Sequence, residues 1–103
     1  MAFTKLSILI PVYNERYYVE QLIDQVIASP LPSDMERELV IVDDCSTDGT
    51  REILDRIANE RPDVVKLHAH AKNQGKGAAI RTAVERATGD LCVIQDADLE
   101  YDP

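Results

Sequence analysis

Three carboxylates lie close together in the chain, at Asp96, Asp98 and Glu100. They follow the apolar run Leu91–Ile94, which predicts a buried strand that holds the acidic residues at a fixed place. With one residue between them, Asp96 and Asp98 can converge on one hard cation such as Mg²⁺ or Mn²⁺, which keeps open positions for phosphate oxygens. Acidic residues after a strand are also ordinary turn formers, so the cluster alone leaves both interpretations open.

The overall composition limits the kind of ligand that such a cluster serves. The chain has 103 residues, a formal net charge of −8 and 45% apolar residues, which predicts one small domain with its own core. Because the charge is strongly negative, we expect no nucleic-acid partner. A phosphate ligand would need a cation as mediator, which agrees with the carboxylate cluster.

The two cysteines and the hydropathy of the sequence bear on the cellular compartment of the protein. Cys45 and Cys92 lack the spacing of a metal site, which predicts two reduced thiols, with Cys92 buried and inert in its strand. The sequence contains neither an apolar run of membrane-spanning length nor an opening signal peptide. We therefore expect a cytoplasmic location, or the cytoplasmic face of a membrane for the full-length protein.

Four apolar runs alternate with three amphipathic helical patterns, which predicts an α/β fold. The predicted strands are Leu6–Ile10, Leu39–Val42, Val64–Ala69 and Leu91–Ile94. Such βαβ units predict a parallel sheet with right-handed crossovers, hence a three-layer α/β/α, Rossmann-like arrangement with strand order 3-2-1-4. We expect Pro11 to end the first strand, 34–37 to be an exposed connection and Asp48 to cap the second helix. The third helix is predicted over 77–88, with Gly89 at its C′ position. Its inward-facing residues would be Ile80, Ala83, Val84 and Ala87.

The polar loops of this predicted fold all follow strands. They are 11–15, 43–46, 70–76 and 96–100, so they meet at one edge of the sheet, where open α/β sheets bind ligands. The order 3-2-1-4 makes the first and fourth strands neighbours, and Tyr13 would then face Asp96 and Asp98 across one crevice. No Gly-x-Gly-x-x-Gly follows the first strand. The segment Gly75-Lys76-Gly77 is either a flexible helix entry or a phosphate contact at a helix N-terminus.

Four motifs along these loops carry a resemblance to a known family. They are Ile8–Glu15, Val40–Thr50, Asn73–Gly77 and Gln95–Glu100. In this order and spacing they resemble the family 2 glycosyltransferases, in particular the polyprenyl-phosphate sugar synthases of the dolichyl-phosphate mannose synthase type. The resemblance implies a GT-A fold and transfer of a sugar from a GDP- or UDP-linked donor to an acceptor, such as polyprenyl phosphate or a glycan.

The resemblance also implies roles for individual residues. The family's nucleoside loop maps to Pro11, Tyr13 and Glu15, and its base contact maps to Val42 and Asp44. The Asp-x-Asp motif, which holds the diphosphate through Mn²⁺ or Mg²⁺, maps to Asp96, Ala97 and Asp98, with Glu100 as a further metal ligand. Lys76 completes the expected nucleotide-sugar-binding set. A bound cation would stabilise the charge that grows on the leaving diphosphate.

Each assignment has a structural alternative. Tyr13 suits a core position as well as base stacking, and Glu15 suits the positive end of a helix dipole. Asp44 suits a turn, and Lys76 suits a solvated surface or pairing with nearby carboxylates. We expect His68 and His70 to lie at the edge strand without a chemical role.

Two other classes compete with a transferase. A receiver-like signalling module is also a small acidic α/β domain that binds Mg²⁺, but its acidic pair follows the first strand, whereas the pairs here follow the second and fourth. A nucleotidyltransferase of related fold would need a glycine-rich loop after the first strand, and none is present.

Family members are generally more than twice this length, and their acceptor-binding part and catalytic base follow the Asp-x-Asp motif. We therefore expect residues 1–103 to be the nucleotide-sugar-binding part, with the base beyond Pro103. This part would be inactive in transfer by itself and would self-associate through the face that the acceptor half covers.

Overall fold

The computed structural model describes residues 4–32 and 34–97. Seven elements alternate along this part of the chain. They are β1 (Lys5–Val12), α1 (Val19–Ala28), β2 (Glu36–Asp43), α2 (Thr50–Glu60), β3 (Val65–Ala69), α3 (Lys76–Arg86) and β4 (Leu91–Ile94). None of the helices in these residues is long and apolar enough to cross a membrane.

The four strands form one parallel sheet in the order β3-β2-β1-β4. This confirms the predicted order 3-2-1-4. In the register, Ile10 pairs with Ile41, and Ile41 pairs with Leu67. The central strands β1 and β2 are buried almost throughout because helices cover both of their faces.

The core has two parts, one on each face of the sheet. On one face, α1 and α2 pack through Val19, Leu22, Ile23, Leu54 and Ile57 against Ile8, Ile10 and Ile41. On the other face, α3 packs against Leu9, Val40 and Val42 through Ala79 and Ala83. The architecture is therefore the predicted three-layer α/β/α arrangement.

The strands β1 and β2 are longer than predicted. Pro11 does not end β1, because it pairs with Val42 and the strand continues to Val12. The Val12 carbonyl accepts from the Asp44 amide, so the backbone groups of Val12 face β2. Because neighbouring residues of a strand face opposite sides, the nitrogen of Pro11 faces the β4 side, where pairing already ends at Leu9. The missing N–H of Pro11 therefore removes no bond to β2.

The predicted exposed connection 34–37 is also partly wrong, because β2 begins at Glu36. Glu36 donates its amide to the Thr4 carbonyl. The half-buried Arg37 directs its guanidinium to the carbonyls of Val26 and Ser29 at the end of α1. The Val26 carbonyl already accepts from the Ser29 amide at 3.3 Å, and the guanidinium adds a cation at the negative end of the helix dipole.

The start of α2 differs in detail from the prediction. The residue before the helix is Gly49, with φ 101°, rather than Asp48. Asp48 still accepts from the Thr50 amide at 3.0 Å and from its hydroxyl. These bonds outweigh burial and lower the pKa of Asp48.

The third helix is rotated relative to its predicted orientation. Ala79 and Ala83 are buried, whereas Val84 is 53% exposed. Small side chains lie at the closest approach of α3 to the sheet, which leaves Val84 outward and Ile80 only half-buried. The inward position of Ala83 is confirmed and that of Val84 is wrong.

Gly89 serves close packing rather than the predicted helix C′ position. The residue that follows α3 is Ala87, in an extended conformation. A Cβ at Gly89 would lie 2.6 Å from the Ser7 Oγ and 2.9 Å from both the Lys5 carbonyl oxygen and the Ser7 nitrogen. The connection from α3 to β4 therefore presses directly onto β1.

A buried carboxylate fastens this connection to the sheet. Glu38 is 2% exposed and accepts from the Ser7 hydroxyl at 2.7 Å and from the Thr88 amide at 2.7 Å. Lys5 adds a charge 3.6 Å away. Burial would raise the pKa of Glu38, but these hydrogen bonds and Lys5 outweigh it and lower that pKa.

The fourth strand is exposed along its whole length, contrary to the prediction of a buried strand. It lies at the edge of the sheet and pairs only with β1 among the described strands. Cys92 is a free thiol and is exposed, so the expectation of a buried cysteine is also wrong. The prediction failed because an apolar run becomes buried only where other elements cover it.

Candidate active site

A cavity of about 400 Å³ opens at the carboxyl ends of the strands. Its walls come from the end of β1, from the residues after each of the four strands and from the start of α3. They are Pro11, Val12, Tyr13, Glu15, Asp44, Asn73, Gly75, Lys76, Ala79, Asp96 and Ala97. Because β1 neighbours both β2 and β4, this is the point where the strand order reverses and where open α/β sheets bind ligands.

The structure brings together most of the residues predicted from the sequence. The predicted residues that line the cavity are Pro11, Tyr13, Glu15, Asp44, Lys76, Asp96 and Ala97. Val42 does not reach it, because its side chain is fully buried in the core beneath α3. Asp98 and Glu100 lie outside the described residues.

The loop after β1 is anchored to the loop after β2. Asn14 has φ 52°, and its amide donates to the Ser46 hydroxyl at 2.9 Å. The Ser46 hydroxyl in turn donates to Asp43, and the Glu15 amide donates to the Thr50 hydroxyl at 3.0 Å. These contacts hold Tyr13 and Glu15 at the cavity wall, and they assign the buried Asp43 to turn formation.

Tyr13 does not take the core position that was its structural alternative. It is 45% exposed and borders the cavity beside Pro11. An aromatic ring in this setting offers a flat apolar surface to a ligand and keeps its hydroxyl available for hydrogen bonding.

Asp44 connects the loops after β2 and β3. Its carboxylate accepts from the Gln74 amide at 2.9 Å and the Gly75 amide at 2.8 Å, and it lies 2.7 Å from the His70 Nδ1. Burial alone would raise the pKa of Asp44, but these hydrogen bonds outweigh burial and lower that pKa. Asp44 is therefore an ionised, acceptor-only group at the cavity wall.

His70 differs from the prediction that it lies at the edge strand without a role. It follows β3, and its side chain is only 9% exposed. Its Nδ1 contacts Asp44, and its Nε2 lies 2.8 Å from the Thr82 Oγ1 on α3. His68 does lie in β3, and burial and the charge of Arg86 lower its pKa.

Opposite charges meet at the mouth of the cavity. The Lys76 ammonium forms an ion pair with Asp96, and both side chains are at least half exposed. Because solvent screens such a pair, it adds little to stability. It does place one cation and one carboxylate where a negatively charged part of a ligand would lie.

The carboxylate of Asp96 fits a divalent cation, since oxygen ligands are those that Mg²⁺ and Mn²⁺ prefer. Within residues 4–32 and 34–97 no cluster of three or more His, Cys, Asp or Glu side chains is placed to hold a metal. Two of the three predicted ligands, Asp98 and Glu100, lie beyond this part of the chain.

Some residues of the site were missed by the sequence reasoning. Asn73 was not named; it lines the cavity and donates its side-chain amide to the Asp44 carbonyl at 3.4 Å. Gly75, for which the sequence left a phosphate contact open, lines the cavity as well. Their position in the Asn-Gln-Gly-Lys-Gly motif was the available signal. Ala79 carried no such signal, because its place depends on the rotation of α3.

Comparisons with known proteins extend this description. The family model for glycosyl transferase family 2 matches residues 7–103. An undecaprenyl-phosphate 4-deoxy-4-formamido-L-arabinose transferase of Proteus mirabilis is 37% identical over 99 residues, which cover 96% of this chain and 30% of that protein. The corresponding transferase of Yersinia pestis is 35% identical over 99 residues, with the same coverage. The chain thus spans about a third of the length of these curated relatives.

Solved structures show the same arrangement. The mannosyltransferase PcManGT from Pyrobaculum calidifontis, in complex with GDP-Man and Mn²⁺, superposes with a TM-score of 0.81 at 36% identity, over 95% of this chain and 28% of that one. S. aureus TarS 1-349 in complex with UDP gives a TM-score of 0.78 at 31% identity, over 92% of this chain and 28% of that one.

Proposed function

This chain belongs to glycosyl transferase family 2, and we propose that its cavity binds the nucleotide diphosphate-sugar donor of a glycosyltransferase. The observation that carries the proposal is the convergence of Tyr13, Asp44 and Asp96, which come from loops after three different strands, on one cavity. In the full-length protein, the acceptor would be a polyprenyl phosphate or a glycan. The undecaprenyl-phosphate transferases among the relatives support the lipid.

The lining of the cavity offers groups that suit both parts of a nucleotide. Pro11 and Tyr13 offer an apolar and aromatic surface for the base, and the ionised Asp44 accepts hydrogen bonds from base N–H groups. Glu15 would accept from ribose hydroxyls. Lys76 lines the cavity and pairs with Asp96, and it would face the diphosphate.

The diphosphate end would be completed by a divalent cation. We propose that Asp96, Asp98 and Glu100 hold Mn²⁺ or Mg²⁺, which would stabilise the negative charge of the leaving diphosphate. The Mn²⁺ in the complex of PcManGT supports this assignment. Asp96 would exchange its ion pair with Lys76 for the cation, and Lys76 would then be released toward a phosphate oxygen.

Calorimetric titration with GDP and UDP, with and without Mn²⁺, tests donor binding. We expect one of the two nucleotides to bind, more tightly with Mn²⁺ than in chelator. A receiver-like module would bind neither nucleotide, so the absence of binding to both would refute the proposal.

A second experiment locates the base. Replacement of Asp44 by Ala should weaken binding of the nucleoside monophosphate even without metal, because the base loses its acceptor. Amide signals of the 11–15 and 43–46 loops should shift when the nucleotide is added. Shifts confined to the Gly75 loop would contradict the assignment.

Transfer needs more than donor binding. Any acceptor must be held in line with the anomeric carbon, and a glycan acceptor also needs a base within hydrogen-bond reach of its hydroxyl. Asp43 is buried in its turn and Asp44 is held by three donors, so neither is free to act as that base. We propose that residues 1–103 bind donor without transferring sugar. Labelled product from GDP-mannose or UDP-glucose with polyprenyl phosphate would contradict this.

The exposed strand β4 supports the proposal of self-association. Leu91, Val93 and Ile94 are each at least 40% exposed on this edge strand. Unpaired strand edges with apolar side chains favour association. Light scattering over a range of concentrations should show oligomers, and replacement of Val93 by Lys should reduce them. A monomer at every concentration would refute the proposal.

A further inference from the structure

We propose that His70 is a positioning residue of the donor site. It fixes the Asp44 carboxylate, the proposed acceptor for the nucleotide base, and Thr82 on α3 fixes His70 in turn. The inference rests on the proposed function, because it assigns a task to the base contact of that site. It concerns a residue that does not itself line the cavity.

The geometry determines which ring nitrogen carries the proton. Asp44 is an acceptor-only carboxylate, so the Nδ1 of His70, 2.7 Å from its Oδ1, must be the donor. In the neutral imidazole, Nε2 is then an acceptor, and the Thr82 hydroxyl at 2.8 Å donates to it. The two contacts hold the ring from opposite sides and fix its tautomer.

His70 is distinguished from the other groups that hold Asp44. The remaining two donors to its carboxylate are the backbone amides of Gln74 and Gly75, which survive any side-chain substitution except proline. The His70 ring is the side-chain donor of this set, and it is 9% exposed. Removal of the ring donor should therefore leave the loop in place but leave the Asp44 Oδ1 with one of its two donors, so that this oxygen is held less firmly.

The arrangement makes a specific separation between the two ends of the ligand. His70 contacts Asp44, the proposed base contact, whereas Lys76 and Asp96, the proposed phosphate-side residues, are paired with each other. A loss of positioning should weaken binding of a nucleotide but not of pyrophosphate with Mn²⁺. A loss of general stability would weaken both ligands.

Four variants at His70 and Thr82 separate the loss of a hydrogen-bonding group from a change in side-chain shape. His70→Phe keeps an aromatic ring and removes both nitrogens, whereas His70→Asn keeps an amide donor near the position of Nδ1. Thr82→Val removes the hydroxyl at constant shape, and Thr82→Ser keeps it. His68→Phe, in β3 and away from the cavity lining, is the matched control.

Calorimetry with GDP, UDP and Mn²⁺–pyrophosphate provides the test. We expect His70→Phe to weaken binding of the preferred nucleotide by roughly tenfold, as for loss of a hydrogen bond to a charged group. Pyrophosphate binding should stay unchanged. His70→Asn should recover most of the nucleotide affinity, and Thr82→Val should lower it as His70→Phe does. The two controls, His68→Phe and Thr82→Ser, should bind the nucleotide like the unaltered chain.

Three results would overturn the inference. These are unchanged nucleotide affinity in His70→Phe, an equal loss for nucleotide and pyrophosphate, and no recovery in His70→Asn. If His70→Phe does not fold, Thr82→Val and Thr82→Ser decide by the same comparison. If the unaltered chain binds neither nucleotide, the proposed function fails first; if it binds one and the variants do not discriminate, only the role of His70 fails.

Discussion

Replacement of Gly89 by Ala should destabilise the fold strongly, although it adds a single methyl group. The new Cβ would lie 2.6 Å from the Ser7 Oγ and 2.9 Å from two backbone atoms, the Lys5 oxygen and the Ser7 nitrogen. The backbone atoms belong to the buried strand β1 and cannot rotate away. Relief requires that the connection between α3 and β4 move outward as a unit.

The magnitude follows from two contributions. Overpacking of this kind costs about 1–3 kcal/mol. Outward movement also breaks the 2.8 Å hydrogen bond from the Gly89 amide to the Ser7 hydroxyl, which contributes about 0.5–1.5 kcal/mol. We expect a total loss of about 1.5–4.5 kcal/mol, which for a domain of this size lowers the midpoint of thermal unfolding by roughly 6–36 °C.

Urea unfolding followed by circular dichroism measures this loss, and Gly77→Ala is the matched control. A Cβ at Gly77 meets no atom within 4 Å, and the residue lies in the first turn of α3. The same substitution should therefore stabilise the chain there by about 0.4–1 kcal/mol. Neutral surface changes alter the free energy of unfolding by less than about 0.5 kcal/mol. If Gly89→Ala stays within this range of the unaltered chain, the close approach of Gly89 to β1 is wrong.

Three further outcomes are expected. Folding lowers the pKa of Glu38, so its carboxylate stabilises the fold above its ordinary pKa of 4.5, and this contribution is lost as the pH falls through the lowered value. The free energy of unfolding, measured with urea at neutral pH and below pH 4.5, should therefore depend less on pH in Glu38→Gln than in the unaltered chain. An equal pH dependence would contradict this role of Glu38. Val84→Lys should change the free energy of unfolding by less than about 0.5 kcal/mol, whereas Ala83→Lys should prevent cooperative unfolding, as measured by circular dichroism. Asp98→Ala should abolish the Mn²⁺ enhancement of nucleotide binding in calorimetry, and an unchanged enhancement would refute the metal assignment.

The sheet and the position of the site were predictable because they depend on local patterns. The alternation of apolar runs with helical periodicity predicts parallel βαβ units, and their connection rules favour the order 3-2-1-4. The polar loops after the strands then meet at one edge. Tyr13, Asp44 and Asp96 could therefore be assigned to one cavity without knowledge of any contact.

The features that escaped prediction depend on contacts between distant parts of the chain. Glu38 precedes the predicted strand Leu39–Val42 and carried no prediction, because its burial follows only from its contacts with Ser7 and Thr88, which are 31 and 50 residues away. Gly89 reads as a helix terminator, and its true constraint is the approach to β1. His70 reads as part of an edge strand until Thr82 and Asp44 are seen on either side of its ring.

The hydrogen bonds that Asp44 receives from Gln74 and Gly75 span 30 and 31 residues of chain. Contacts of such long range form late in folding, after the entropy cost of closing the intervening loop has been met. The amide protons of Gln74 and Gly75 lie in a loop, yet they should exchange with solvent more slowly than unbonded loop amides, because each is donated to the Asp44 carboxylate at the end of β2. The wall of the cavity at Asp44 is thus held by the loops after β2 and β3 together, so a change that loosens one loop should loosen the other.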